Sequence, residues 1–379
     1  MIKRLRSGIE RNHERPGSRE RCNIMGFMTL NDEYHDNPKP SIAHRDSGGC
    51  DADRTGQRTT RRTGLFDRAL WFDGLHRHCL AAQAPHIAYA AEDGDAVKLY
   101  LIDNGRAGML AMANWYSFIW RPVFGGNPDA PRRRALLERT ARRLPRETHR
   151  IVLSPVPDED GSASLIAATF AAAGWLVSQT PCDENHVLHV NGRSFDEYWA
   201  TRPGQLRSTV KRKGNKGVVD LRIETVFNAG SWLDYETIYA RSWKPEEGNP
   251  DFLRWLAARE AEAGRLRMGI ASIDGQAVAA QFWTVENGTA YIHKLAHDER
   301  HIQASPGTLL THALFSHVID TDHVDLVDFG TGSDPYKRDW MEDVRPRYRL
   351  EMLWPKAPLA WPYLAKHRMA GLAARFGKD

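Results

Sequence analysis

The chain has 379 residues, of which 41% are hydrophobic and 26% are charged, and its formal net charge is +4. These proportions are typical of globular proteins and exclude a wholly disordered or collagen-like chain, while the length suits two domains of ordinary size. Because no run of eighteen apolar residues occurs, no membrane-spanning helix is expected. The basic start lacks the apolar segment of a secretory signal.

The four cysteines, Cys22, Cys50, Cys79 and Cys182, are far apart and form no CxxC pair. This spacing supports neither a disulfide framework nor a zinc site, and it favours a reducing cytoplasm. A net charge of +4 is small for this length, and no nucleic-acid motif accompanies it. We therefore expect no metal and no DNA partner.

Residues 1–62 differ in composition from the rest, with Arg/Glu runs, short Pro and Gly motifs and almost no periodic apolar positions. Such a segment buries too little apolar surface to offset the entropy of ordering it, so we predict a disordered extension. From residue 65 onward the pattern becomes that of a globular protein. In the following block, periodicity predicts helices over 65–82, 131–144 and 162–173, and strands over 86–91, 96–103, 110–118, 150–154, 175–179 and 186–190.

The next block repeats this order of elements without detectable sequence identity. We predict helices over 194–200, 203–216, 231–243, 251–263 and 305–319, and strands over 221–226, 268–273, 277–285, 289–296 and 326–329. Ser231 is the predicted N-cap of the helix over 231–243. Two successive α/β units are the simplest interpretation of the pattern.

The most informative segment covers residues 289–340 and is predicted to form strand, loop, helix, strand and loop. Ser305 and Pro306 are suited to the start of the helix, and Gly307 allows a ligand to approach the backbone. A helix start offers free N–H groups and the positive end of the helix dipole, which suit a pyrophosphate, although such residues are also ordinary capping.

The motifs YIHKLAHD, SPGTLL, VDLVDFG and SDPYKRDW, in this order, resemble acetyltransferases of the GNAT superfamily from bacterial cellulose and polysaccharide gene clusters. That family is similar to the FemAB-type transferases, which have two GNAT modules in tandem. The resemblance implies an α/β fold of tandem GNAT-like (acyl-CoA N-acyltransferase) modules, each a mixed, splayed sheet with flanking helices. We place the first module at 63–193, the second, which carries the site, at 194–352, and a C-terminal tail at 353–379.

The resemblance further implies an acyl-CoA co-substrate, an amine acceptor and transfer by direct attack, with no bound cofactor. An amine attacking a thioester requires a free amine, a donor to the oxyanion and a proton for the thiolate. The predicted catalytic residues are Asp328, Tyr336, Lys337 and His293. Donor binding is assigned to Ser305, Gly307, Thr308 and Leu309, and acceptor binding to Arg207, Lys211, Arg212 and Trp340.

Each assignment has a structural alternative. Asp328 at a strand end could cap the following turn, His293 could be a satisfied strand residue, and Trp340 could serve packing alone. The basic helix with Arg207, Lys211 and Arg212 could be a solvated face. In the usual GNAT phosphate loop, Gln/Arg-x-x-Gly-x-Gly/Ala, a glycine stands where this chain has Pro306. An aminoacyl-tRNA-dependent FemAB-like transferase and a non-catalytic scaffold in polysaccharide or lipid synthesis therefore stay open as alternatives, although tRNA is not the expected partner.

The predicted tail ends in an amphipathic basic helix over residues 363–379, with Ala365, Met369, Leu372 and Phe376 on one face. Together with Trp354 and Trp361, such a helix suits either packing on the second module or a peripheral contact with an anionic membrane. We expect a cytoplasmic protein, peripheral on the inner membrane if the second interpretation holds. The acceptor is then a sugar amine, an amino acid or a long-chain amino lipid.

Overall fold

The computed structural model describes residues 63–366, and the predicted N-terminal extension and residues 367–379 of the predicted tail lie outside the described part. A short 3₁₀ turn at Leu65–Asp67 precedes the elements of the first half. These are α1 (Ala69–Cys79), β1 (Pro85–Glu92), β2 (Asp95–Asp103), β3 (Met109–Ala111), β4 (Val123–Gly125), α2 (Ala130–Arg143), β5 (Arg150–Val156), α3 (Ser162–Ala172) and β6 (Leu176–His189).

The second half begins with a helix whose start is fixed by a capping box between Ser194 and Glu197. Its elements are α4 (Phe195–Ala200), α5 (Gly204–Gly214), β7 (Asp220–Glu224), α6 (Ala229–Ala240), α7 (Pro250–Glu262), β8 (Leu266–Ile273), β9 (Gln276–Glu286), β10 (Thr289–His297), α8 (Pro306–Ser316), β11 (Leu326–Thr331), α9 (Lys337–Trp340) and β12 (Asp343–Leu353).

The strands of the described chain join in one mixed sheet, in the order β1-β2-β3-β5-β12-β6-β11-β10-β9-β8-β7, with β4 paired to β2. Each half contains one parallel pair, β3 with β5 and β10 with β11. The last strand, β12, lies between β5 and β6 of the first half, and β6 in turn pairs with β11 of the second half. The halves therefore exchange strands at the centre of the sheet.

Helices cover the second half of the sheet on both faces, and the alternation of side chains along β9 shows how. Ala280 and Phe282 face the core formed with α6 and α7, which continues into the first half beneath α1, α2 and α3. Ala279 and Trp283 point to the opposite face, where α4 and α8 pack. A strand that is buried on both faces is expected to be largely apolar, and the centre of β9 is apolar except for Gln281, whose amide is hydrogen-bonded to α8.

The mixed α/β architecture with flanking helices is confirmed, but the separate sheets expected for the two halves are joined into one, and several local predictions are corrected. The two strands predicted over 175–179 and 186–190 are one continuous strand, β6, and the strand predicted over 110–118 ends at Ala111. Helix α6 is capped by Asn228, which accepts from the N–H groups of Gly230 and Ser231, so Ser231 is not the cap. Strands β4 and β12 had no counterpart among the predicted elements.

Candidate active site

The parallel strands β10 and β11 separate partway along their length. Their pairing begins with Thr289 opposite Leu326 and ends with Tyr291 opposite Asp328. Beyond this point, residues 292–297 of β10 and 329–331 of β11 border a gap in the sheet. Strand β9 continues to pair with β10 as far as His297, so the outer side of the gap keeps its position.

Backbone N–H groups of β10 point into this gap. The last pair of residues in the β9–β10 ladder is Ala279 with His297. Just beyond it, the N–H of Asp298 donates to the carbonyl of Val278 at 2.8 Å. Successive N–H groups along an antiparallel strand point alternately toward and away from the partner. The N–H groups of Leu295 and His297 are therefore directed away from β9, toward the gap.

His293 occupies a β-bulge between Ile292 and Lys294, where the register with β9 shifts. Bulges redirect side chains and are frequent beside active sites. The ring stacks on Phe282 at 4.8 Å, and its Nε2 lies 2.8 Å from the Thr284 hydroxyl. Burial lowers the pKa of His293 to about 3, so the imidazole is neutral at physiological pH. It is suited to holding a hydrogen bond in the gap, and it is too weak a base to take a proton from an ammonium.

A turn at residues 333–336 brings Tyr336 and Lys337 to the other side of the gap. Tyr336 packs edge-on against Phe329 at 5.7 Å, and burial raises the pKa of its hydroxyl above the usual value. The Lys337 ammonium donates to the carbonyls of Thr331 (2.5 Å) and Gly332 (3.3 Å), and burial lowers its pKa. Lys337 thereby holds the end of β11 in place while facing the same space as Tyr336.

Asp328 lies on β11 directly before the gap, but its carboxylate is directed into the sheet. It accepts from Asn185 Nδ2 at 2.7 Å and from the Gly330 N–H at 2.8 Å. Asn185 is itself held by Arg347 of β12 at 2.6 Å. Burial raises the pKa of Asp328 despite these donors. Asp328 is not among the residues that line the cavities described below, in contrast to its neighbours Phe329 and Gly330.

The start of α8 borders the same gap from the side of β9. Ser305 has a left-handed backbone (φ 56°) and makes no side-chain cap, which corrects the capping role expected of it. The N–H groups of Ser305 and Leu309 already donate to Ile302 and Ser305 carbonyls, so these two are not free for a ligand as predicted. Within residues 63–366, the N–H groups of Gly307 and Thr308 have no protein acceptor.

Helix α8 is fixed to the sheet by a buried amide. The Gln281 Nε2 donates to the Thr311 hydroxyl at 2.6 Å and to the Gly307 carbonyl at 3.2 Å. An anion at the start of α8 would therefore meet a positioned pair of N–H groups at the positive end of the helix dipole. Trp340 packs between Trp199 (5.7 Å) and Phe315 (5.1 Å), and it also lines the cavity at the start of α8.

Three adjoining cavities surround the gap. The donor cavity, about 290 Å³, is lined by Ser305, Gly307, Thr308, Tyr336 and Trp340. The central cavity, about 140 Å³, shares Tyr336 and Phe329 with it and is also lined by Trp115, Lys244, His293, Lys294 and Lys337. The aromatic cavity, about 450 Å³, shares Lys244 and Leu253 with the central one and is lined by Trp232, Tyr235 and Tyr239.

The predicted acceptor residues on α5 lie apart from these cavities. Arg207, Lys211 and Arg212 are exposed to solvent, and Arg207 donates to the Arg202 carbonyl at 3.1 Å. Their neighbour Lys213 contacts the carbonyl of Gln303, in the loop before α8. Lys213 thus connects α5 to the loop before α8, and Leu206 is the residue of α5 that lines the donor cavity.

Sequence reasoning missed Lys244, Lys294, Glu247 and Tyr116. Lys294 lies 2.7 Å from Glu247, and the Tyr116 hydroxyl donates to the same carboxylate. Lys244 and Glu247 belong to a polar loop between α6 and α7, where composition alone predicts solvated side chains. The signal that was available is the adjacency of Lys294 to His293 on a strand that leads to the site.

Comparison with known proteins identifies the fold. Residues 200–338 match the family described as acetyltransferase (GNAT) domain. The matched residues lie in the second half of the chain. The match includes β10, α8 and β11, the elements that border the gap. No curated protein sequence matches the chain at a significant level.

Solved structures that resemble most of the described chain share this fold. FemX aligns with a TM-score of 0.55 at 9% identity, over 76% of this chain and 92% of its own. A conserved protein of unknown function from Bacteroides thetaiotaomicron aligns with a TM-score of 0.53 at 13% identity, over 78% and 93%. The C-terminal domain of a protein assigned as a lysylphosphatidylglycerol synthetase in Agrobacterium fabrum aligns with a TM-score of 0.50 at 12% identity, over 77% and 90%.

The match to the GNAT domain model supports a transferase, and GNAT domains use acyl-CoA as co-substrate. Among residues 63–366, no cluster of His, Cys, Asp and Glu has the arrangement of a metal site. In the same range, no helix combines the length and the apolar composition needed to cross a bilayer.

Proposed function

We propose that the protein is an N-acyltransferase that moves an acyl group from acyl-CoA to a primary amine by direct attack. The observation that carries the proposal is that the donor and central cavities adjoin. The donor cavity is lined by Gly307 and Thr308, whose N–H groups are free, and it shares Leu295, Phe329 and Tyr336 with the central cavity at the gap between β10 and β11.

The donor is proposed to bind with its pyrophosphate at the start of α8 and its thioester in the gap. The Leu295 N–H, which points away from β9, then donates to the thioester oxygen as negative charge develops there. A preorganised backbone donor of this kind typically contributes about 3–4 kcal/mol to transition-state stabilisation. Trp340 and Leu206 form an apolar wall of the donor cavity.

In the proposed reaction the amine nitrogen attacks the carbonyl carbon of the thioester. A C–N bond forms and the C–S bond breaks, which gives an amide and CoA. The Tyr336 hydroxyl gives its proton to the departing thiolate, and the proton lost by the amine returns to Tyr336 through solvent. Because burial raises the pKa of Tyr336, its hydroxyl is protonated at neutral pH and is ready to act as the acid.

The other predicted catalytic residues take supporting roles in this proposal. Asp328 positions the end of β11 through the Gly330 N–H, and Lys337 positions the following loop through two carbonyls. His293 stays neutral and is held by its hydrogen bond with the Thr284 hydroxyl of β9. The amine reaches the site as the free base, so proximity and the oxyanion donor provide most of the acceleration.

A thiol-release assay tests the proposal. Purified protein is mixed with acetyl-CoA or a long-chain acyl-CoA and a panel of sugar amines, amino acids and amino lipids, and free CoA is measured. We expect at least one amine to raise thiol release above the rate without acceptor. Tyr336→Phe should lower this rate at least tenfold, while Tyr89→Phe, on the exposed face of β1, should leave it unchanged. Equal rates in both variants would remove Tyr336 from the mechanism.

An aminoacyl-tRNA donor is the second candidate, and one observation favours it. The exposed basic face of α5, the helix whose Leu206 lines the donor cavity, suits a long polyanion as well as the 3′-phosphate of CoA. Binding of uncharged tRNA and of CoA, measured at two salt concentrations, separates the donors. A strong salt dependence with tRNA and no binding of CoA would favour the tRNA donor. Binding of CoA without turnover of any amine would favour a non-catalytic scaffold.

A further inference from the structure

Three lysines from three different segments converge on the central cavity. Lys294 extends from β10, Lys337 follows β11, and Lys244 comes from the loop between α6 and α7. They differ in how their charge is compensated. Lys294 is 2.7 Å from the Glu247 carboxylate, and Lys337 donates to the carbonyls of Thr331 and Gly332.

Lys244 has no such partner. Among the described residues, no carboxylate oxygen lies within 4.0 Å of its ammonium, which lies over the Trp243 ring at 5.6 Å from the ring centroid. The side chain is nevertheless half-buried, at the boundary between the central and aromatic cavities. Burial, together with the like charges of Lys294 and Lys337, lowers the pKa of Lys244 to about 8. A partly buried ammonium without a counter-charge lowers the stability of the folded protein, and a bound anionic ligand would supply that counter-charge.

The carboxylates of the region do not supply this counter-charge. Glu236, which lines the aromatic cavity, is engaged by Arg254 and the Trp232 indole, and Glu246 is exposed to solvent. Glu247 is engaged by Lys294 and by the Tyr116 hydroxyl. Asp334 is largely exposed and lies 4.0 Å from Lys337. The aromatic side chains Trp71, Trp115 and Phe118 form much of the remaining wall. The central cavity is therefore positive, and its partly apolar walls strengthen the interaction of any bound charge.

The neighbouring cavity indicates the rest of the ligand. It is the larger of the two, its wall includes Trp232, Tyr235 and Tyr239, and Lys244 lies at the opening between them. A molecule that reaches from one to the other has a small charged end in the central cavity and a bulky apolar body beyond it.

We propose that the acceptor is an amine that also carries an anionic group, a carboxylate or a phosphate, and an apolar body, and that Lys244 binds the anionic group. This inference rests on the proposed function, since it places the amine at the gap between β10 and β11. The apolar body occupies the aromatic cavity. An amino acid with a large apolar side chain satisfies all three requirements, and a neutral amine of the same shape satisfies two.

Binding experiments with matched probes test the inference. L-phenylalanine and phenylalaninamide share the amine and the ring and differ in the carboxylate, while O-phosphoethanolamine and inorganic phosphate supply the phosphate alternative. Quenching of tryptophan fluorescence reports binding, because Trp71 and Trp115 line the central cavity. Titrations are made with and without saturating CoA, so that phosphate binding at the start of α8 is recognised by its loss when CoA is present.

We expect the protein to bind at least one anionic probe at least tenfold more tightly than phenylalaninamide, with or without CoA. Lys244→Met should abolish this preference, Lys244→Arg should keep most of it, and the exposed control Lys356→Met should keep all of it. A retained preference in Lys244→Met, or equal binding of phenylalanine and phenylalaninamide by the unaltered protein with no binding of phosphate probes, would overturn the inference. Circular dichroism and the thermal midpoint establish that each variant is folded.

The same measurements separate this inference from the proposed function. If CoA does not bind while the preference for anions depends on Lys244, the proposed donor is wrong and the anion site stands. If CoA binds and amines release thiol while Lys244→Met leaves the preference for anions unchanged, the anion site is wrong and the transferase stands.

Discussion

Replacing Lys244 by methionine should stabilise the folded protein. The pKa of Lys244 falls from 10.5 to about 8 because the half-buried ammonium is poorly solvated and faces Lys294 and Lys337. Each unit of pKa shift corresponds to about 1.4 kcal/mol. Folding therefore disfavours the charged form of Lys244, relative to the neutral form, by about 3 kcal/mol. Solvent screening at a partly accessible site reduces the difference, and we expect a gain of about 1–3 kcal/mol in the free energy of unfolding of Lys244→Met at pH 7.

The sign of the pH dependence follows from the same shift. Between pH 8 and 10.5 the unfolded chain holds a proton on Lys244 that the folded protein has lost, so stability rises with pH in this window. The gain in the free energy of unfolding of Lys244→Met over the unaltered protein should therefore be about half as large at pH 9.5 as at pH 7. The charged groups that face Lys244, namely Lys294 on β10, Lys337 and Asp334 after β11, and Glu247 on its own loop, are present in both proteins.

Urea denaturation at pH 7.0 and 9.5, at equal ionic strength, measures the effect for the unaltered protein, Lys244→Met and the exposed control Lys356→Met. The control should change the free energy of unfolding by less than about 0.5 kcal/mol at both pH values. A destabilised Lys244→Met, or an advantage that does not depend on pH, would show that the ammonium is compensated within the protein. That result would refute the argument that Lys244 awaits an anionic ligand.

Other variants address the donor, the acid and the strand exchange. Gly307→Val should raise the Kd for acetyl-CoA at least tenfold in calorimetry. Even a Cβ at this position, at the start of α8, would approach His297 Nδ1 to 3.3 Å. An unchanged Kd would mean that the donor binds elsewhere. Tyr336→Phe should lower kcat while leaving the Kd for acetyl-CoA unchanged, and a parallel loss of affinity would assign Tyr336 to binding. Arg347→Met should lower the free energy of unfolding by about 3 kcal/mol in urea denaturation, since it leaves the buried Asn185 Oδ1 and the Phe118 carbonyl without this donor. A loss below about 1 kcal/mol would mean that water replaces the guanidinium.

Periodicity predicted most of the helices and strands because their apolar positions are local in sequence. The hairpin β1–β2, the helices α2, α3 and α7 and the three strands β8–β10 all follow this rule. Strand β12 was missed because its residues, DVRPRYRLEML, alternate polar and apolar only weakly. Its pairing partners β5 and β6 precede it by more than 150 residues, and such a distance leaves no local pattern.

The sequence predicted the part of the candidate site whose residues are close together in the chain, and it did not predict the part assembled from distant segments. Residues 289–340, from β10 to α9, contain the strands that border the gap, the start of α8 and Tyr336. Ser305 did not act as a cap because its backbone is left-handed. The surroundings of Lys244 come from β10, from the loop after β11 and from the first half of the chain, so a lysine in a polar loop gave no sign of them.

The exchange of strands at the centre of the sheet has a consequence for how the protein is made. When the first half has left the ribosome, the residues of β5 and β6 have been synthesised. The strand that pairs between them, β12, is among the last segments to be made. Until β12 arrives, both strands present unpaired edges that invite association with other chains. A chain cut short before Asp343 would keep these edges permanently unpaired, even though it retains residues 200–338, which match the GNAT domain. Expression trials should therefore include residues 343–353, however small the intended fragment.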